Sequence, residues 1–450
     1  MEKFIAIFGG LIFACLNICV VFIRIVIKKK LQLLDWFLLS LGLFNGIGFG
    51  FVLWATHVGR NYAKFNYWLL QYDVQMIFIY LLSNIVLGSS VYIGWHLSIA
   101  NSSKKSLKLK MNIEYKEIVS IAWISFFIGF VCYWLYARAY GGFSGALLYS
   151  RAVRAGISSV DNPYSFLRPF GNLSYFASYT FFGAIIDRNK MDIKTTKKSL
   201  LLIGFCFSFV FSIYVLYEKL GRFSFITFFA TFGLAYVILN YDVIGKFVIR
   251  CVIFFVSVFC LLLVSDSLLR GSSSRLNLIE LLAKELAFPF VGYINQILKG
   301  NYRWFSDIIF TPLFILPQRF WGRILNIETA SSYNTFIIEG SRKGQGGVTG
   351  ELPVDLLTLG QMQASIFGVL FVGLIFGYIL WRVELKVNQI PFIGVRAVIY
   401  SNVIINIAAR TVLYGDPEHI VVRNFELIIG FILISLFRRI SLKSKKAPFT

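Results

Sequence analysis

Residues 4–30 read FIAIFGGLIFACLNICVVFIRIVIKKK. The apolar run from Phe4 to Ile27 reaches the length of about twenty residues that a bilayer crossing needs. It is too long for the apolar core of a signal peptide. It ends in Lys28, Lys29 and Lys30, not in a small-residue cleavage site. This reading makes it a retained first span and sets the class of the whole chain. Runs of the same kind recur at 33–55, 74–98, 117–136, 170–187, 199–218, 223–241, 243–265, 360–381, 391–413 and 424–438. The expected fold is an all-α, polytopic transmembrane bundle of eleven spans, or twelve if the apolar stretch at 303–322 also crosses. Composition agrees: 57% of the 450 residues are hydrophobic and only 15% are charged, where a soluble chain carries roughly 25% charged residues. The alternating ten-residue segments of a β-barrel are not seen.

The formal charge of +22 raises the question of nucleic acid, and its placement answers it. The cations cluster at the ends of apolar runs: RIVIKKK (24–30), NSSKKSLKLK (101–110), DRNKMDIKTTKK (187–198), Lys246, WRVELK (381–386) and RRISLKSKK (438–446). Such clusters set topology and touch anionic lipid, so nucleic acid is not an expected partner. They put their own side in the cytoplasm, with the N-terminus outside and the C-terminus inside. The six cysteines all fall within apolar runs, with no CxxC or His–Cys spacing. That implies neither a disulfide framework nor a metal site.

The remaining connections fall on the exterior side. The largest, Asp266 to Gly360, carries nine Lys or Arg and eight Asp or Glu and is too balanced to be a cytoplasmic anchor. The chain therefore divides into an N-terminal transmembrane bundle (1–265), a large exterior loop (266–360) and C-terminal transmembrane helices (361–450). In the loop, LNLIELLAKELAFPFVGYI (276–294) has amphipathic helical spacing. RWFSDIIFTPLFILPQRFWG (303–322) is apolar and aromatic, broken by Pro312 and Pro317. Segments of these two kinds commonly lie in the membrane interface. No tandem repeat or low-complexity linker interrupts the chain.

The exterior stretches are rich in arginine: Arg151 and Arg154, Arg222, Arg270 and Arg275, Arg342, Arg410 and Arg423. A guanidinium is a planar fork that matches phosphate oxygens. Several at one membrane face suit an anionic ligand at headgroup depth, such as a lipid diphosphate. The plainer alternative is that each snorkels or pairs with a carboxylate. Arg222 and Arg410, at the ends of apolar spans, need a partner most. Among carboxylates, Glu339 and Glu351 flank IEGSRKGQGGVTGELP (338–353), and a carboxylate facing a sugar hydroxyl can act as general base. Of the three histidines, His419 in GDPEHIVVR is the catalytic candidate. No P-loop is present.

Four stretches resemble the O-antigen polymerase family (Wzy), whose organisation the O-antigen ligases share: EKLGRFSF (218–225), FTPLFILPQRFWG (310–322), ETASSYNTFIIEGSRKGQGGVTGELPVDLLTLG (328–360) and AARTVLYGDPEHIVVRNF (408–425). The likeness in topology covers the whole chain; the likeness in residues covers about a fifth. The chain departs from the family by carrying Leu-Gly, not Gly-Ser or Gly-Thr, before Arg222, and by lacking an arginine and a glycine with ten residues between them in its exterior loops.

The resemblance implies a bacterial inner-membrane glycosyltransferase. It would move a growing glycan from undecaprenyl diphosphate to the terminal sugar of a new lipid-linked unit, with no cofactor, metal or nucleotide sugar. The implied partners are lipid-linked oligosaccharides, membrane lipids, a chain-length regulator and a flippase. Arg222, Arg270, Arg410 and Glu351 take catalytic places beside His419, and Arg151, Arg154, Arg275, Arg342 and Arg423 take substrate-binding places. The 338–353 segment would be a glycine-hinged cover over the site. Two alternatives stand: a ligase joining polymer to lipid A-core, and a flippase or other transporter.

Overall fold

The computed structural model describes residues 2–58, 73–102, 111, 113–155, 160–191, 196–240, 250, 253, 257, 278–316, 319–348 and 350–444. Among them the protein is helical, with no strand. Seven helices are long and apolar enough to cross a membrane: Phe4–Lys28, Leu33–Ala55, Val74–Ala100, Tyr115–Arg138, Lys198–Glu218, Leu356–Asn388 and Ile393–Val412. The pair Pro417–Arg423 and Phe425–Arg438, bent by 59°, makes up to eight. The expected run at 223–241 is a shorter apolar helix, Phe223–Leu239. The run at 243–265 lies outside the described residues apart from 250, 253 and 257. The stretch at 303–322 does not cross as a helix, because its helical pieces are Ser306–Ile309, Thr311–Ile315 and the start of Arg319–Ile324.

The chain divides into two compact units that interleave in sequence. The first comprises Met1–Ser103, Ser274–Glu384 and Asn406–Ile420; the second comprises Lys104–Ser273, Leu385–Ile405 and Val421–Thr450. Among the described residues, the first draws on all three of the stretches separated by sequence, and the second on the N-terminal and C-terminal ones.

In the first unit, α1 (Glu2–Lys28) packs on α2 (Leu33–Leu41), on the π-helical turn Gly42–Gly48, on α3 (Phe49–Val58) and on α4 (Val74–Ala100). Backbone meets backbone there: a Cβ on Gly10 would lie 2.4 Å from the Gly46 carbonyl oxygen, so only glycine permits the approach. Asn45 donates to Asn84 at 2.7 Å inside this packing, which satisfies polar groups that lipid would not.

The second unit is built on α5 (Tyr115–Arg138), α6 (Phe143–Ala155), α7 (Leu173–Met191), α8 (Lys198–Glu218) and α9 (Arg222–Leu239). Helix α7 packs on α5 and α8. The run expected at 170–187 is this helix, and it is not among the seven, because its last turns carry Asp187, Arg188 and Lys190. Ser212 of α8 donates to Ser174 at 3.0 Å and sits 3.2 Å from Ser178, all three fully buried.

The amphipathic run at 276–294 is α10 (Leu278–Lys299), with Ala283, Ala287, Val291 and Asn295 buried at four-residue spacing. After it come α11 (Ser306–Ile309), α12 (Ala330–Glu339), α13 (Leu356–Asn388), α14 (Ile393–Val403), α15 (Pro417–Arg423) and α16 (Phe425–Ser444). Helix α13 is broken: Ala364 and Ser365 leave helical geometry at φ −162°, ψ 49° and φ 55°, ψ −141°.

Candidate functional site

The first unit gathers its polar residues around α12. Thr329 caps the helix by accepting from the Ser332 N–H at 3.2 Å. Gly340 ends it in the left-handed conformation, φ 71°, which glycine adopts without strain. The glycine segment that follows is a set of hydrogen-bonded turns: Gly344 N–H donates to the Val348 carbonyl at 2.7 Å and Val348 N–H to the Gln345 carbonyl at 2.9 Å. Gly344, Gly346 and Gly347 all take positive φ. The returning segment is strapped to α12 by Leu352 N–H donating to Thr335 Oγ1 at 2.8 Å and Asn334 Nδ2 donating to the Pro353 carbonyl at 3.1 Å.

One carboxylate ties the last turn of the unit to this platform. Asp416, fully buried, accepts from Ser331 N–H at 2.7 Å through Oδ2 and from Glu418 N–H at 2.9 Å through Oδ1. It thus serves the N-termini of α12 and α15 together. Burial raises its carboxyl above the ordinary carboxylate value, against those hydrogen bonds and the charge of Arg303. His419 Nδ1 stands 3.5 Å from Ser331 Oγ, and its Nε2 stands 3.6 Å from Glu418.

The charged chain starts at Arg303. Its guanidinium donates to both Asp307 oxygens at 2.7 and 2.8 Å and to the Glu328 carbonyl at 2.6 Å. It also lies 4.9 Å from the Tyr333 ring centroid. Gln363 Nε2 donates to Asp307 at 2.8 Å. Glu328 in turn accepts from Arg342 Nε at 2.9 Å. Arg342 is 53% exposed and lies over the Phe336 ring, with exposed Lys343 beside it. Glu351 is exposed and within electrostatic reach of Lys343 and Asp416. Arg410 sits 5.2 Å from the Tyr414 ring centroid and donates to Asn406 at 3.4 Å.

The second unit holds a different cluster. Glu218, fully buried, accepts from Arg168 Nη2 at 3.0 and 3.1 Å and from Nε at 3.3 Å, and stands 3.4 Å from the Tyr136 hydroxyl. Lys219 donates to Asn172, and Arg154 donates to the Leu220 carbonyl. Burial first, and then the charge of Arg168, brings the Lys219 ammonium down to about 8.

Of the expected site residues, Arg342, Glu351, Arg410 and His419 fall in the first unit, and Arg151, Arg154, Arg222 and Arg423 in the second. Arg151 is exposed on α6, Arg222 opens α9 and Arg423 closes α15. Arg270, Arg275 and the side chain of Arg222 lie outside the described residues.

Residues beyond those expected are Arg303, Asp307, Glu328, Ser331 and Asp416 in the first unit, and Arg168, Glu218 and Lys219 in the second. Two of the signals stand in the sequence. Arg303 and Asp307 are one helical turn apart, and Asp416-Pro417-Glu418 is a capping residue followed by proline at the first helical position. Among the described residues, no group of three or more His, Cys, Asp or Glu is arranged to hold a metal. Compared with known proteins, the chain matches no family model, no curated protein and no solved structure.

Proposed function

We propose that the protein polymerises lipid-linked oligosaccharide repeat units on the exterior face of a bacterial inner membrane. In this reading it has eleven spans, an exterior N-terminus and a cytoplasmic C-terminus. The observation that carries the reading is the ordered platform around α12, which presents Arg342 and Lys343 to solvent from the longest loop between apolar helices. Arg342 is steadied by Glu328, and Glu328 is held near Arg303. Two cations so placed can meet the charge that grows on a departing lipid diphosphate.

The chemistry needs one nucleophile and one leaving group. A hydroxyl of the acceptor sugar attacks the anomeric carbon of the donor. The bond from that carbon to the diphosphate oxygen breaks, and the hydroxyl proton passes to a base. Glu351, exposed at the edge of the platform, is the carboxylate offered for that proton. The turns at Gly340 to Gly347 then form the cover, shaped in advance by their own hydrogen bonds.

The test is a gel of surface polysaccharide from a deletion strain of the source bacterium. Loss of a polymerase collapses the ladder to core plus one repeat unit. Bare core with full-length polymer held on the lipid carrier assigns a ligase, and bare core with single units trapped in the cytoplasmic leaflet assigns a flippase. An unchanged ladder overturns the proposal.

A further inference from the structure

The stretch Tyr302–Leu316 is fastened to the break in α13. At Ala364 and Ser365 the helical ladder fails, which would leave carbonyls of the preceding turn without donors. The N–H groups of Arg303 and Trp304 fill the gap, donating to the Met362 carbonyl at 2.8 Å and the Gln363 carbonyl at 3.1 Å. To do so, Trp304 and Phe305 adopt φ of 49° and 64°, a conformation that bulky residues rarely take. The turn sends the two rings apart. Phe305 packs edge-on against Phe371 of α13, centroids 5.8 Å apart, while Trp304 stands outward beside Tyr302.

The two faces of the stretch differ completely. Its only charged residues, Arg303 and Asp307, bind each other, and Asp307 is buried. The exposed residues are Tyr302, Trp304 (70%), Ile309 (66%), Pro312, Ile315 and Leu316. This apolar face continues the outward stripe of Phe367, Leu370, Phe371, Ile375 and Ile379 on α13, the stripe a spanning helix turns to lipid. Depth follows from length. From Ile366 to Trp381, where the charged WRVELK turn begins, α13 rises roughly 24 Å at 1.5 Å per residue, a little less than the ~30 Å hydrocarbon core. Counted from that turn, the break falls about 6 Å short of the opposite boundary, just below the headgroups, and so does whatever is tied to it.

We infer that Tyr302–Leu316 is a monotopic wedge seated in the lipid interface of one leaflet, with Trp304 and Ile309 among the acyl chains just below the headgroups and Arg303 on its polar edge. Its occupant is the bilayer itself: the face carries no exposed charge, is largely aliphatic beyond its two rings, and adjoins a lipid-facing stripe.

The full-length protein and its Trp304→Phe variant, reconstituted in phosphatidylcholine–phosphatidylglycerol vesicles, provide the test. The difference between their emission spectra reports Trp304. Lipids brominated near the carbonyl should quench that difference about twofold or more, lipids brominated near the methyl end should quench it less, and aqueous iodide should leave it unchanged. If Trp304→Phe does not fold, Ile309→Trp in the otherwise native chain adds emission that should behave in the same way. Quenching by iodide without quenching by lipid overturns the wedge, and protection from iodide by a soluble oligosaccharide would then make the face a sugar platform. Stronger quenching by the deep bromines overturns it also, because the segment would then enter the bilayer core.

Discussion

In the Glu218 cluster the contacts turn inward; in the Arg303 cluster they run outward. Glu218 is sealed from solvent and gripped by one guanidinium through three hydrogen bonds, with a tyrosine hydroxyl at its edge. Arg303 is held as firmly, but its partner Glu328 passes the contact on to Arg342, which is half in solvent. A sealed ion pair is expensive to disturb, because removing one partner strands a buried charge. An exposed pair is worth little to the fold, about 0–1 kcal/mol, and gives way at little cost. The same residue types thus make a sealed fastening in one unit and a chain that ends at an exposed guanidinium in the other.

The largest effect should come from breaking the fastening. Arg168→Met leaves the Glu218 carboxylate buried without its guanidinium and should cost about 3 kcal/mol of stability, read as a lower melting temperature in detergent. Replacing Glu218 by Gln in the same chain should recover part of that loss. A single variant as stable as the native protein would mean that the cluster is open, and the contrast would collapse.

A smaller, pH-dependent effect sharpens the comparison from the other side. Asp355 is buried at the start of α13, where its carboxylate accepts from the Leu357 and Thr358 N–H groups at 3.1 and 3.2 Å. Burial raises its carboxyl to about 7. The folded protein then holds a proton that the unfolded chain has released, so this contribution is fullest below the ordinary carboxylate value. It is lost as pH rises toward about 7, with a slope of at most about 1.4 kcal/mol per pH unit. Asp355→Asn should flatten that slope in melting curves taken across the window. An unaltered slope would move the titration to another group.

The smallest effect on the fold, and the most telling one, is expected at Arg342. Arg342→Ala should change stability by less than about 0.5 kcal/mol while lowering polymer yield about tenfold or more. A large fall in melting temperature with undiminished polymer would place the fastening here and not at Glu218.

Seven or eight of the spans were legible because apolar runs of bilayer length leave few alternatives, and α10 was legible in its four-residue spacing. Other features had no local signature. Arg168 and Glu218 lie fifty positions apart and meet because the 3-10 turn Ser165–Asn172 that leads into α7 packs against α8. The α13 break falls in QASIF, residues 363–367, which contains neither glycine nor proline, and the two amides that satisfy its carbonyls come from a distant loop. Counting arginines drew attention to Arg342, which is exposed. It passed over Arg303, whose role depends on the neighbours that bury it.

The repair of α13 also has an order in time. A ribosome makes Arg303 and Trp304 well before Met362 and Gln363, so the donors exist before the carbonyls that need them enter the bilayer. Had the loop followed the helix, the growing chain would have carried bare carbonyls into a solvent that cannot hydrogen-bond them. The position of this loop ahead of α13 makes synthesis itself the guard of the break: the patch is laid before the hole is opened.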